Sequence, residues 1–464
     1  MELQFLGAAE CVTGSCHMLK IRDKTILLDC GLYQGKDQDQ GKNEKFQFNP
    51  KDIDLVILSH AHIDHSGRIP FLYKNGFKGE ILCTKATMEL CEVMLPDSGH
   101  IQEMEVEWKN RKRKRKGLLP EASLYSSKVA EECLKLFKSY SYDEKIKPFD
   151  GLTITFKDAG HLLGSAIIEL ELEEEQGTPI KLVYSGDLGN FNIPLINDPT
   201  FIDKADYVIM ETTYGDKVHN NFKDVLKELA SIVKETFARG GNVIIPSFAV
   251  GRTQEVLYAL NKYFEEDMVK NCSVYVDSPL AEKATKIFEN NREVFDAEAK
   301  ELEKHDKNIL DFQGLNFTHS AEESMKLNEI QKGIVIISTS GMCDAGRIKH
   351  HLKHNLWRKE NSVVFVGYQA EGTLGREILD GNKMVRIFGE DIAVSASIYN
   401  LQGLSGHADR NGLINWIENI KIKPKQVFLV HGDINTQKSF KELLDSKKYQ
   451  SVIVKSKEKY KLEN

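Results

Sequence analysis

The chain has 464 residues, enough for two to four domains or for one large domain carrying an insertion. Hydrophobic residues make up 41% and Gly and Pro number 33 and 11, which supports packed cores and excludes disordered, collagen-like and fibrous chains. Lys and Arg number 62 against 69 Asp and Glu, so the net charge of −7 excludes a uniformly basic nucleic-acid coat but leaves room for a local basic groove.

In chain order, the N-terminal segment carries Glu2 and Glu10 and lacks a basic start, so it is a poor signal peptide. Short β-branched runs follow at 25–28, 54–58, 153–156, 181–184 and 207–210, then at 242–245, 273–276, 333–337, 362–366 and 426–430. Helical patterns lie between many of them, which predicts an α/β protein with largely buried sheets. Residues 97–147 read as helical and highly charged, and include the basic run Arg111–Lys116. That run either grips a phosphate backbone or is a solvated helix face. Residues 216–390 alternate strand and helix as in an open doubly wound sheet. His350, His351 and His354 have the spacing of a helical metal pair, but no carboxylate completes them, and they read as a surface helix. No apolar run is long enough to span a membrane. The 8 cysteines lack any CxxC pair, so reduced thiols and a cytoplasmic location are expected. Cys11 and Cys16 read as packing residues.

The chemistry concentrates after the run at 54–58, where His60, His62, Asp64 and His65 fall within six residues. Three imidazoles and a carboxylate so close together can supply nitrogen and oxygen ligands to two adjacent divalent ions, and zinc takes this donor set in catalytic sites. Asp29, His161, Asp187, Glu211 and His431 each stand at or just past the C-terminal end of a predicted strand, the edge at which α/β sheets assemble sites. One such residue is an ordinary polar strand terminus; five together with the histidine cluster predict one dinuclear site. Ser247–Arg252 (SFAVGR) and Ser338–Gly341 (STSG) both precede predicted helices, whose free N–H groups attract phosphate. Ser247, Arg252, Ser338, Thr339, Ser340, Gly341, Arg347 and Arg376 are therefore candidate phosphate-binding residues.

HAHIDH resembles the HxHxDH motif of the metallo-β-lactamase superfamily, and GAAECVTGSCH, LLDCG, DAGHLLGSA, YSGDLGN and ETTYGD follow in that family's order. IPSFAVGRTQE, DSPLA, STSGMCDAG, VGYQAEGTLGR, LSGHAD and VHGD are similar to its β-CASP branch, whose members process nucleic acid. The resemblance covers nearly the whole chain. It implies a four-layer αββα sandwich from residues 1–210 and 391–464, with a doubly wound α/β domain inserted at 211–390. It further implies two Zn²⁺ ions, one on His60, His62 and His161 and the other on Asp64, His65 and His431, with Asp187 bridging. Asp29 would support the ligand histidines from behind, and Glu211 and His407 would form an acid/base pair. A histidine at 431 goes with RNA-acting members of the branch.

The expected function is thus a zinc-dependent ribonuclease in which a hydroxide activated by two metals attacks phosphorus and His407, steadied by Glu211, protonates the leaving oxygen. Single-stranded RNA is the expected partner, with a homodimer allowed and no membrane contact. The chain ends about 30 residues after His431, which favours a compact endonuclease over a trimming enzyme. The alternatives are an inactive RNA-binding scaffold and a hydrolase of small esters or thioesters.

Overall fold

The computed structural model describes residues 1–35, 41–175, 178–220, 222–265, 272–305, 308–369, 371–401, 403 and 405–463. Ala370 and Leu404, within two of the motifs above, lie outside the described residues. The chain divides into two compact units, Met1–Phe191 with Asp198–Val218 and His407–Asn464, and Asn192–Asn197 with His219–Gly406.

The first unit carries two seven-stranded sheets. One runs in the order Lys459–Lys461, Glu2–Phe5, His17–Ile21, Lys24–Leu28, Leu55–Ile57, Glu80–Thr84 and Phe137–Tyr140. The other runs Ser451–Ile453, Gln426–Val430, Tyr207–Glu211, Ile180–Tyr184, Ala166–Leu172, Leu152–Asp158 and Ile146–Phe149. Side chains alternate across a strand, so each sheet sends one row inward. Leu3, Phe5, Ile26, Leu28 and Ile57 of the first sheet meet Phe156, Ile168, Tyr184, Ile209 and Phe428 of the second in one buried cluster. The second sheet's outer row packs on Leu413, Trp416 and Ile417 of helix Arg410–Glu418 and on Phe440 and Leu444 of helix Ile434–Ser446. This is the αββα sandwich.

The second unit has a six-stranded sheet ordered Leu315–Phe317, Ser273–Asp277, Ile334–Ser338, Val243–Pro246, Ser362–Phe365 and Ser397–Asn400, with every pairing parallel. Helices alternate with these strands along the chain, as a doubly wound sheet requires. Its bounds differ from the expected 211–390. The unit comprises 192–197 and 219–406, and it runs past 390 because Ser397–Asn400 hydrogen-bonds to Ser362–Phe365 and extends that sheet's edge.

Three further local expectations change. Residues 97–147 are helical only to Arg115, the end of a 31-residue helix from Lys85, and again over Ser127–Cys133; strands Phe137–Tyr140 and Ile146–Phe149 follow. DHSGRIPFLYKNG reads in sequence as one helix opened by Asp64 and His65, but the chain forms two short helices there, Ile63–Ser66 and Ile69–Lys74. His351 is fully buried: its Nε2 lies 2.6 Å from Asp277 Oδ2 and its Nδ1 2.9 Å from Asn328 Oδ1, so the His350–His354 helix is not wholly a surface element.

Candidate metal centre

All the candidate ligands belong to the first unit, and most stand where its strands end. Asp29 follows Lys24–Leu28, His60 and His62 follow Leu55–Ile57, His161 follows Leu152–Asp158, Asp187 follows Ile180–Tyr184, and His431 follows Gln426–Val430. Two glycines let the loops close. A Cβ on Gly31 would lie 1.6 Å from Asp64 O, and one on Gly189 would lie 1.7 Å from Gly160 O, so the loops bearing Asp64 and His161 seat only against bare backbone.

Four ligand-type atoms converge first. His62 Nδ1 lies 3.1 Å from both His60 Nε2 and His161 Nε2, and Asp187 Oδ2 lies 3.4 Å from the former and 3.7 Å from the latter. Atoms held 2.0–2.1 Å from one tetrahedral centre stand roughly 3.3 Å apart, so the spacing fits a divalent ion such as zinc. Asp64, His65 and His431 form a second group, with His431 Nε2 3.3 Å and His65 Nε2 4.0 Å from Asp64 Oδ2. Asp187 reaches this group too, its Oδ2 3.3 Å from His65 Nε2 and its Oδ1 3.7 Å from His431 Nε2. Asp187 Oδ1 is buried with no hydrogen-bond partner. A dry, unpaired carboxylate oxygen is costly unless a cation answers it, so the residues present fit bound metal.

The surroundings aim these atoms. Asp29 accepts from Ser59 N through Oδ1, and from Ser59 Oγ, Tyr184 OH and His65 Nδ1 through Oδ2, each at 2.7 Å. Ser59 Oγ, its own proton given to Asp29, accepts from His60 Nδ1 at 3.0 Å. Thr213 Oγ1 lies 3.0 Å from His431 Nδ1. His60, His65 and His431 thus have one ring nitrogen tied back and Nε2 facing the cluster. Asp29 and His431 sit in the left-handed region, φ 60° and 50°, a state that costs a non-glycine residue about 1–3 kcal/mol and is fixed here by neighbouring strands.

Electrostatics agrees with the donor chemistry. Burial lowers His60 well below the ordinary imidazole range and His62 to about 4, leaving neutral rings with a lone pair to give. For His65 the cost of burial is outweighed by Asp187 and Asp64, which hold it well above that range, so a cation binding there must displace a proton. Burial would raise Asp187; His431, His65 and His60 outweigh it and keep the carboxylate ionised.

Beside the cluster, His407 Nδ1 donates to Glu211 Oε1 at 3.1 Å and lies 4.0 Å from Asp187 Oδ2. Glu211 is fully buried and also accepts from Leu188 N at 2.7 Å and Thr213 N at 3.2 Å. Ala408 N donates to Leu188 O, which pins the His407 loop to the loop that carries Asp187. Burial disfavours the His407 cation, but the charge and hydrogen bond of Glu211, with Asp187 and Asp64, raise it to about 9. The imidazole is one-fifth exposed.

Three family models match the chain in sequence: a metallo-beta-lactamase superfamily domain over residues 18–199, a Beta-Casp domain over 253–378, and a Zn-dependent metallo-hydrolase RNA specificity domain over 391–454. Ribonuclease TTHA0252 of Thermus thermophilus is 36% identical over 433 residues, 93% of each chain. The chain belongs to the β-CASP branch of the metallo-β-lactamase superfamily. Another relative is the transcription termination factor FttA of Methanocaldococcus jannaschii, 32% identical over 444 residues, 93% of this chain and 67% of that one. A crystal structure of a protein of unknown function from Enterococcus faecalis covers 99% of both chains with a TM-score of 0.55 and 13% identity, a likeness of fold.

In the β-CASP unit, the candidate phosphate contacts are arranged differently from the sequence expectation. Ser338–Gly341 does not lead directly into a helix: helix Ile348–Asn355 starts seven residues later, and its first N–H is taken by Thr339 O. Each of the three arginines has a carboxylate. Arg252 is buried against Glu255 one turn along its own helix, Arg347 Nη1 donates to Asp277 Oδ1 at 2.7 Å, and Arg376 Nε donates to Asp380 Oδ1 at 2.8 Å. Ser247 Oγ accepts from Thr253 Oγ1, Ser338 Oγ donates to Asp277 O, Thr339 Oγ1 donates to Ser278 Oγ, and Ser340 Oγ accepts from Ala345 N. A Cβ on Gly341 would come within 2.8 Å of the Phe248 ring. Sequence reasoning missed Ser59, Thr213 and Tyr184, the groups that orient the histidines and Asp29. The signal for two of them was a hydroxyl residue directly before HAHIDH and another two residues after Glu211.

Proposed function

We propose that the protein is a zinc-dependent ribonuclease that hydrolyses phosphodiester bonds of single-stranded RNA internally, with two metals. His60, His62 and His161 would hold one ion, Asp64, His65 and His431 the other, and Asp187 would serve both. Zinc held by these residues supplies Lewis-acid chemistry, acidifying water near neutral pH and taking up charge on a phosphoryl oxygen. The chain's own groups do the rest. Asp29, Ser59 and Thr213 keep three imidazoles in the orientation that presents Nε2. His407, protonated at neutral pH and one-fifth exposed, gives its proton to the departing ribose oxygen, and Glu211 steadies the charge it carries before that transfer.

The observation that carries this reading is Asp187, whose Oδ2 lies within 3.4 Å of an imidazole nitrogen in each histidine group while its Oδ1 has no hydrogen-bond partner. The names of the relatives supply the substrate class: one is a ribonuclease and another terminates transcription. The described residues contain eight buried free cysteines and no helix long and apolar enough to cross a membrane; the thiols suit work in a reducing cytoplasm. In domain terms, residues 1–210 and 391–464 would supply the hydrolase and 211–390 most of the substrate-holding insertion. The decisive experiment incubates zinc-loaded protein with RNA labelled at either end, with and without a chelator. Chelator-sensitive internal products are expected. Zinc-loaded protein that leaves RNA intact would overturn the reading, and single-nucleotide release from one end would overturn its endonucleolytic part.

A further inference from the structure

Helix Lys85–Arg115 continues far past the body that supports it. Its buried residues end at Gly99, and none of the sixteen that follow is buried. The chain then turns back along one side of the helix. Asn110 and Glu121 exchange a pair of hydrogen bonds at 2.8 Å, Arg113 Nε donates to Leu119 O, and Ser127 N donates to Glu103. This return segment occupies the face bearing Glu103, Asn110 and Arg113. The opposite face, spaced at three and four residues, carries Ile101, Met104 and Trp108 and then Arg111, Lys112 and Arg115. It is open to solvent: Ile101, Met104 and Trp108 are 42%, 56% and 58% exposed.

Such exposure on an otherwise charged helix calls for a partner. The charge says which kind. From Trp108 to Pro120 seven of thirteen residues are Lys or Arg and none is acidic, in a chain whose net charge is −7. Lys112 Nζ sits 3.3 Å above the Trp108 ring, and Arg111 is held by Glu107 at 2.6 Å, while Lys109, Lys114, Arg115 and Lys116 extend without an ion pair among the described residues. A row of cations running into an exposed tryptophan and methionine is the composition that holds a single strand, phosphates on the basic side chains and a base on the aromatic face. A second copy of the chain is a poor occupant, since two such arms repel.

We infer that this arm is a second RNA-binding surface, remote from the metal centre, that anchors the substrate through Arg111, Lys112 and Arg115 and stacks a base on Trp108. The inference rests on the ribonuclease reading for its choice of substrate. Counted along the helix from Thr87, whose backbone packs against the loop after His161, Trp108 stands about 30 Å away. At roughly 3.4 Å per stacked nucleotide, a stacked RNA of more than about nine nucleotides reaches both places.

The test compares zinc-loaded parent, the triple variant R111Q/K112Q/R115Q and Trp108→Ala on unstructured RNAs of about 5 and about 20 nucleotides, beside fluorescence anisotropy of the labelled longer RNA. For the longer RNA, KM should rise about tenfold in each variant with kcat retained, and the triple variant should lower the slope of log affinity against log salt by about 2. For the short RNA both constants should match the parent. Equal KM and equal salt slope on the longer RNA would overturn the arm and leave the ribonuclease intact. If the parent cleaves no RNA but anisotropy still weakens in both variants, the arm stands and the ribonuclease reading falls. Dimerisation in ultracentrifugation that Trp108→Ala abolishes, with RNA affinity unchanged, would assign the face to a second copy and overturn the proposal.

Discussion

Asp187 and Asp277 are both carboxylates buried at the C-terminal end of a strand, one in each compact unit. Around Asp277 the oxygens are fully engaged: Oδ1 accepts from Arg347 at 2.7 Å and from Thr318, and Oδ2 from Ser324 and His351 at 2.6 Å each. Around Asp187 imidazoles crowd at 3.3–4.0 Å, yet Oδ1 has no hydrogen-bond partner. The same residue at the same kind of position is therefore a finished structural joint in one unit, while in the other it keeps an oxygen that no protein donor satisfies. Burial and charge do not separate the two. Satisfaction of the oxygens does.

The most severe way to break this contrast is Asp187→Ala. Both ions share that carboxylate in the proposed site, so bound zinc measured by elemental analysis should fall towards zero and RNA cleavage below detection, with the far-ultraviolet dichroism of the parent retained. Retention of both ions would remove the bridging role. His407→Ala should come next: zinc content stays and cleavage falls by about 10²–10⁴, the usual worth of a positioned general acid. The pH profile sharpens that assignment. His407 is protonated below about 9, so cleavage should decline as pH rises through that value, or earlier where bound cations lower it. Glu211→Gln removes the main charge that raises it and should shift this alkaline limb to lower pH; an unmoved limb would exclude His407 as the acid.

Asp29→Ala should weaken zinc about 10- to 100-fold in a chelator competition, because His65 and Ser59 lose the acceptor that aims them. Asp277→Ala is the counterpart in the other unit. It should leave zinc content unchanged and cost about 3 kcal/mol in denaturant unfolding, the price of stranding Arg347 and His351. The smallest effect is on acid stability. Burial would raise the Asp277 carboxyl, but its hydrogen bonds with His351, Ser324, Thr318 and Arg347 hold it below the usual range. Its contribution is therefore complete above about pH 4, where the unfolded carboxyl ionises, and is lost as pH falls further. The parent should lose stability below pH 4 more steeply than Asp277→Asn.

Buried parallel strands were legible because both faces are apolar, so runs such as Gln426–Val430 stand out as unbroken β-branched and aromatic stretches. Strand Ala166–Leu172 alternates glutamate with leucine in its second half, and Phe137–Tyr140 follows a charged helical stretch; neither carries that signature. The histidines and carboxylates that cluster were legible through their place at strand ends and through motif order. What each side chain touches was not. Arg347 and His351 have the spacing of a surface helix, and nothing local announces that Asp277, 70 and 74 residues earlier, turns them inward. The oriented hydroxyls of Ser59 and Thr213 were hidden for the opposite reason, since serine and threonine beside a motif look ordinary until their single proton is traced.

Strand Lys459–Lys461 pairs with Glu2–Gln4, so the last ordered strand of the chain closes a sheet opened by the first. The clustered groups of the candidate centre are likewise spread from His60 to His431. Both arrangements join segments far apart in sequence, so neither forms before its later segment is made, and a product terminated ahead of His431 would lack one of the clustered groups.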